Sequence, residues 1–521
     1  MAGFRARSTS GDSPKQRPGQ KKTSGDHRQG GQSGYRRRSE SHRQEHRDVV
    51  EQREKQGKRG SGDKVRDAVF GVLRQVSSQD AYANLVLPGV IRSAGLSGRD
   101  AAFATELTYG TLRAQGLLDA VIAEAAGRPV GRIDETVLDA LRLGAYQVLR
   151  TRVDDHAAVN TTVELVKANG EEKAAGFTNG VLRRITRSTP QEWLGTVTAG
   201  FTDPVDALAL RYAHPTWIAE VFNTALGGAA GEPAAELEAA LTADDERPLV
   251  HLAARPGQIT AEELALVTGG EEGRWSPYAV YLSEGDPGKL EPVKESLASV
   301  QDEGSQLIAL AMLRAEVDGD QGRWLDLCSG PGGKTAFLAS WAMGDGARVD
   351  AVESAPHRAE LVRKATQGLP VSVHLGDGRD LAGVEGLEVP GSQDSDAGRV
   401  GFDRVLVDAP CTGLGALRRR PEARWRKSAE DVAPLVTLQR DLLRSAVSAT
   451  APGGVTVYST CSPHPAETSA VVRAVAEETG AVIEDATALF PELEDVSGPF
   501  VQLWPHRHGT DAMFFAVLRR P

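Results

Sequence analysis

The chain has 521 residues, 40% of them hydrophobic and 25% charged, with a formal net charge of −11. No apolar run approaches the roughly 20 residues that a membrane-spanning helix needs. The three cysteines, Cys328, Cys411 and Cys461, are too few and too widely spaced for a disulfide framework or a zinc site, so no metal is expected. The opening residues lack an apolar signal segment, which predicts a cytoplasmic protein with reduced thiols.

Charge divides the chain. Residues 1–62 hold 16 Lys+Arg against 7 Asp+Glu, while the remainder holds 44 against 64. The few apolar residues of this head, Phe4, Tyr35, Val49 and Val50 among them, cannot bury enough surface to offset ordering entropy. The head is therefore predicted to be a disordered basic tail. It suits a phosphate-rich partner reached by counterion release, and equally a solubilising extension.

From 63 to 195 the apolar period is helical. "DKVRDAVFGVLRQV" puts Val65, Ala68, Val69, Val72, Leu73 and Val76 on one face behind a capping Asp63, and "DETVLDALRLGAYQVLR" repeats the pattern. An all-α bundle follows. Residues 200–300 mix a helix around Trp217 and Phe222 with short strands "PLVHLAA" and "AVYLSEG", a small α+β module. Over 301–521 the rhythm becomes strand, loop, helix. Strands are predicted at 323–328, 347–352, 371–375, 402–408, 454–460 and 512–518, forming a doubly wound, largely parallel α/β sheet of Rossmann-like type. The Gly- and Asp-rich stretch 383–401 reads as an exposed loop.

Ligands in such sheets sit beyond the carboxyl ends of the strands. After the first strand comes "CSGPGGKT", Cys328 to Thr335, whose Gly330, Gly332 and Gly333 allow close backbone approach before a helix N-terminus. Three ligands compete for it. A Walker A phosphate loop matches Gly333-Lys334-Thr335 but needs glycine at Cys328, and the dinucleotide pattern lacks its third glycine. S-adenosylmethionine, held by a tight glycine turn, is the third. Glu353, Asp377 and Asp408 at successive strand ends favour it, Glu353 for ribose hydroxyls and Asp377 beside the adenine.

Two further strand ends deliver thiols: "VDAPCTGLGALRRRP" carries Cys411 and "YSTCSPHPAE" carries Cys461. Adjacent fourth and fifth strands would bring both into one cleft beside Asp408. A thiolate, an acid and a methyl sulfonium together suit methylation of pyrimidine carbon 5. Thiolate addition at carbon 6 makes that carbon nucleophilic, and an acid stabilises charge at ring nitrogen 3.

These motifs, with "DLCSGPGGKT", resemble the Sun/Fmu family of RNA cytosine-5 methyltransferases. The preceding bundle, with "AVNTTVELVKANG" and "GFTNGVLRRI", is similar to the NusB-like RNA-binding domain of its RsmB type. The likeness covers roughly residues 63–521. It implies Cys461 as nucleophile, Cys411 as the thiol that aids release, and Asp408 as the acid touching cofactor and base. It also implies S-adenosylmethionine on Cys328, Ser329, Gly330, Pro331, Gly332, Gly333, Lys334, Glu353, Asp377 and Asp408. Ser329-Gly330, Thr412 and Glu353 depart from the commonest family residues, all by small changes.

Between Arg418 and Lys427, "RRRPEARWRK" contains one acid, Glu422. Arg418, Arg419, Arg420, Arg424, Trp425, Arg426 and Lys427 are therefore expected to face RNA, guanidiniums on phosphates and the indole on a base. Asp511 is read as lining the cytosine pocket. The sequence thus predicts a monomeric S-adenosylmethionine-dependent methyltransferase of small-subunit ribosomal RNA, with domains at 1–62, 63–195, 200–300 and 301–521. A P-loop NTPase and a non-catalytic RNA-binding assembly factor are the alternatives.

Overall fold

In the computed structural model, residues 60–389 and 400–521 are described. The basic head, apart from residues 60–62, and the central part of the loop expected over 383–401 lie outside the described residues.

Among the described residues, eight α-helices build the N-terminal region: Lys64–Gln79, Ala83–Ser93, Gly98–Arg113, Gln115–Ala126, Glu135–Arg150, Asp155–Ala168, Ala175–Ile185 and Pro190–Thr198. Their starts follow capping chemistry. Asp63 accepts the Arg66 amide at 3.0 Å, and Asp134 accepts that of Thr136 at 2.8 Å. The predicted face of the first helix is inside, with Val69, Val72, Leu73 and Val76 buried. Val137, Leu138, Leu141 and Ala145 join the same core. The last helix docks through Trp193, whose indole donates to the Ile185 carbonyl at 2.8 Å.

Residues 200–300 hold two differently packed parts. Helices Pro204–Arg211, Thr216–Ala225 and Leu237–Asp245 share a core with Leu414, Leu417, Trp504 and Ala512 from the C-terminal region. The small sheet comprises β1 (Val250–Ala254), β2 (Glu271–Glu272), β3 (Ala279–Leu282) and β4 (Ala298–Val300), ordered β2-β3-β1-β4 and antiparallel throughout.

The large sheet contains β5 (Arg323–Asp326), β6 (Arg348–Glu353), β7 (Val371–Leu375), β8 (Phe402–Asp408), β9 (Thr450–Thr460), β10 (Val482–Glu484), β11 (Val501–Gln502) and β12 (Phe514–Arg519). Its order is β10-β12-β9-β8-β5-β6-β7, with β11 on β12. The five strands from β7 to β9 are parallel, and β12 runs antiparallel against β9. β9 begins four residues before the predicted start, because Thr450 pairs with Phe402 across a register shift. Apolar cores lie on both faces of the sheet, one with Leu307, Phe337 and Phe515, the other with Val405, Leu442 and Tyr458. No helix among the described residues is long and apolar enough to cross a membrane.

Candidate active site at the strand ends

Reversal of strand order at β5 opens a crevice beyond its carboxyl end, and the glycine loop fills that position. Gly332 adopts φ +107°, and a Cβ there would lie 2.9 Å from that of Ala365. A Cβ on Gly330 would lie 2.3 Å from Glu353 Oε2. The space goes to hydrogen bonds instead. Gly330 N–H donates to Glu353 Oε2 at 3.1 Å and Ala355 N–H to Oε1 at 2.9 Å. The carboxylate is thereby fixed while keeping lone pairs for a ligand. Arg358, which the sequence did not single out, donates to the Gly330 carbonyl.

Carboxylates dominate this cradle. Asp326, at the end of β5, accepts the Thr335 hydroxyl at 2.6 Å, and burial pushes its carboxyl up to about 7. Burial raises the Cys328 thiol well above its ordinary value, with Asp326, Asp408 and Glu353 adding repulsion. Cys328 is therefore a protonated lining residue. Burial opposes the charge of Lys334, but the Asp408 carboxylate outweighs it and holds the ammonium protonated. The two meet at 2.7 Å.

This arrangement contradicts the phosphate-loop alternative. The lysine that would neutralise a triphosphate is consumed by Asp408, and further acids would repel the phosphates. Asp377 is exposed and paired with Arg379, whose hydrogen bonds hold its carboxyl below the ordinary range.

β8 and β9 lie side by side with Asp408 opposite Ser459, and the Ser459 hydroxyl donates to Asp408 Oδ1 at 3.0 Å. The two chains leave the sheet together, and the sulfurs of Cys411 and Cys461 come within 3.4 Å. A hydrogen bond from the Cys411 thiol lowers the Cys461 thiol, against burial and Asp408, and Lys334 and Arg420 assist. The same hydrogen bond, with burial and Glu467, raises Cys411 well above its ordinary value. The pair is asymmetric: Cys461 is the better thiolate and Cys411 the proton holder.

Glu467 holds the two thiol loops in register. It is fully buried and accepts Thr412 N–H at 2.8 Å, Ser462 hydroxyl at 2.7 Å and Gln439 Nε2 at 3.1 Å. Glu467 is absent from the residues expected from sequence, although it closes the "YSTCSPHPAE" motif. Its acidity at that offset was the available signal.

The basic run is corrected by the structure. Arg418 donates to Asp511 at 2.7 Å, and Arg419 bridges Asp511 and Asp302 at 2.9 and 2.6 Å. Asp511 is thus engaged by arginines rather than open to a base. Arg424 has no exposed surface; it binds Asp244 at 2.8 Å and Asp245 at 3.4 Å. Arg426 donates to the carbonyls of Asp80, Val76 and Ala81 at 3.0, 2.8 and 2.7 Å. Trp425 packs against Gly116, where a Cβ would lie 2.2 Å from the indole. The contacts of Arg424, Trp425 and Arg426 run to other parts of the fold, whereas the ion pairs of Arg418 and Arg419 stay within residues 301–521; in both cases acids distant in sequence supply the charge that local counting missed. Among the described residues only Arg420 and Lys427 of the run lack a carboxylate or carbonyl partner for the side chain.

The strand order, the single reversed strand and the acidic glycine cradle define a Rossmann-like methyltransferase. Residues 311–519 match the sequence profile of the 16S rRNA methyltransferase RsmB/F family, and residues 63–187 match that of the NusB family. A Mycobacterium tuberculosis protein named as a "putative methyltransferase" is 57% identical over 461 residues, 88% of this chain and 97% of its own length. The ribosomal RNA small subunit methyltransferase B of Erwinia tasmaniensis is 30% identical over 457 residues, 86% and 96% of the two chains. The solved structure of the protein PH0851 shares the fold with a TM-score of 0.70 at 21% identity, over 88% of this chain and 98% of its own. The chain belongs to the RsmB/F family of methyltransferases and carries the NusB domain at its N-terminal side.

Proposed function

We propose that this protein transfers a methyl group from S-adenosylmethionine to carbon 5 of a cytosine in small-subunit ribosomal RNA, in the cytoplasm, through a covalent Cys461 adduct. The observation that carries the reading is the 3.4 Å approach of two unequal thiols beside the Lys334–Asp408 pair. The carboxylates of Glu353 and Asp408 suit a cationic, phosphate-free ligand, and the fixed Glu353 suits a ribose diol. Held by the glycine loop and Glu353, S-adenosylmethionine would supply an electrophilic methyl on a sulfonium whose sulfur ends as a neutral thioether.

The chain's own residues supply the rest. Cys461 thiolate adds to carbon 6, opening the 5,6 double bond and making carbon 5 nucleophilic toward the methyl. The Asp408–Lys334 pair stabilises charge developing on the ring around nitrogen 3. Once Cys461 sulfur is bonded to carbon, its negative charge no longer holds the Cys411 proton. The Cys411 thiol can then lose its proton to solvent, and the resulting thiolate removes the carbon-5 proton; the electron pair of that C–H bond rebuilds the double bond and expels the Cys461 thiolate. The target base must leave any helix for its carbon-6 face to reach the thiolate. The other site residues expected from sequence (Ser329, Pro331, Gly333 and Asp377) remain assigned here to cofactor binding.

Denaturing gels with labelled RNA test this. Cys461→Ala is expected to lose methyl transfer by on the order of a thousandfold or more. Cys411→Ala is expected to accumulate a covalent protein–RNA adduct. Unchanged turnover in Cys461→Ala would refute the scheme.

A further inference from the structure

Of the two cations in the basic run without a carboxylate or carbonyl partner among the described residues, Arg420 and Lys427, Arg420 approaches an aromatic ring. Arg420 is exposed and has no carboxylate partner among the described residues, although Arg418, Arg419 and Arg424 around it are all paired with acids. Its guanidinium carbon lies 5.9 Å from the ring centroid of Tyr82, and that of Arg426 lies 5.1 Å from the same ring. Tyr82 belongs to the NusB domain and keeps 39% of its surface in solvent. Arg426 is anchored through three backbone carbonyls, which satisfy its hydrogens but leave its charge uncompensated. The clamp between loop and bundle is complete without Arg420. Arg420 ends the segment that begins at Cys411, and within that segment the Gly415 N–H donates to the Cys461 carbonyl at 2.9 Å, so the cluster adjoins the thiol cleft.

An exposed aromatic ring, a free guanidinium and a second uncompensated charge are what an unpaired nucleotide requires. Bases stack on aromatic and guanidinium planes, and the phosphate takes the cation. We propose that Tyr82 and Arg420, with Arg426 behind them, form a platform for an unpaired nucleotide neighbouring the target cytosine, so that the NusB domain contributes directly to the substrate path. This deepens, and rests on, the reading of the cleft as an RNA methyltransferase site. It assigns RNA contact to Arg420 and removes it from the buried arginines of the same run.

The test is fluorescence anisotropy of the full chain with a short fluorescein-labelled single-stranded RNA containing one cytosine, over a salt series. Tyr82→Ala is expected to weaken binding by about tenfold or more, the worth of one stacked base, and Tyr82→Phe to restore it. Arg420→Gln is expected to reduce the salt slope by about 0.7, one phosphate on a single strand. Leu85→Ala, an exposed apolar change on the adjoining helix, is expected to bind as the parent does, and thermal unfolding monitors the fold of each variant. Tyr82→Ala binding as tightly as the parent, or Arg420→Gln with an unchanged slope, overturns the platform. The two readings fail separately. A Cys461→Ala chain that still methylates small-subunit ribosomal RNA, while the platform variants bind more weakly, refutes the catalytic scheme and supports the platform; a Cys461→Ala chain that has lost methylation while all platform variants bind equally refutes the platform alone.

Discussion

The thiol cleft and the arginine run adjoin in sequence, yet they relate to the fold in opposite ways. In the cleft, each residue expected from a motif stands at a strand end, and parallel pairing of β8 with β9 converts a separation of fifty positions into a 3.4 Å contact. In the run, the residues are where the sequence puts them, but their partners are not. Asp244, Asp245, Asp302 and Asp511 come from distant segments and neutralise arginines that local counting left free. Strand-end geometry follows from local pattern and a few topology rules, whereas charge pairing is a long-range property. A basic stretch is evidence of an interface only after its internal partners are known.

The largest test of this contrast is Arg424→Gln. If Arg424 is an internal tie, its loss leaves the buried Asp244 with His214 as its side-chain partner and destabilises the protein by about 3 kcal/mol, with RNA affinity unchanged when measured below the melting temperature. Chemical denaturation and anisotropy together check it, and weaker RNA binding without lost stability would break the contrast. Glu467→Ala is expected next. Releasing the loops of Cys411 and Cys461 from their shared acceptor should lower kcat roughly a hundredfold through misplacement of the thiols, with cofactor affinity retained, and Glu467→Gln should recover part of it. Single-turnover methylation distinguishes this from a simple binding defect.

The smallest effect concerns Asp326, whose folded carboxyl is pushed up to about 7 by burial. Unfolded, it titrates near 4. The folded chain therefore holds a proton that the unfolded chain releases between these values. Its stabilising contribution is full below about pH 4 and is lost as pH rises through about 7. Asp326→Asn keeps an acceptor for Thr335 and removes that loss, so its melting temperature should gain on the parent at pH 8 relative to pH 5. A pH-independent difference would place Asp326 outside this linkage.

Much of the architecture was legible because period and capping are local. The strand predicted over 402–408 and that over 371–375 coincide with β8 and β7, since short valine-containing apolar segments bounded by turn residues leave little choice. Asp63 and Asp134 start helices where the pattern placed them. The shared core of helices 204–245 with Leu414 and Trp504 was not legible, because amphipathic faces do not name their partners. Glu467 was overlooked for a similar reason. A lone acid after a motif looks solvated until burial shows it accepting several hydrogen bonds.

By itself the amino-acid order determined the elements, the glycine turn, the acids at strand ends and the presence of a thiol after each of two strands. Those are consequences of backbone preference and of side-chain chemistry at known offsets. Tertiary structure alone decided that the sulfurs are unequal, that Lys334 serves Asp408 rather than a phosphate, and that Arg420 has no carboxylate partner among the described residues while Arg418, Arg419 and Arg424 are paired with acids. Ionisation and pairing depend on which charges approach through space and how far water is excluded, and a linear chain specifies neither until it has folded.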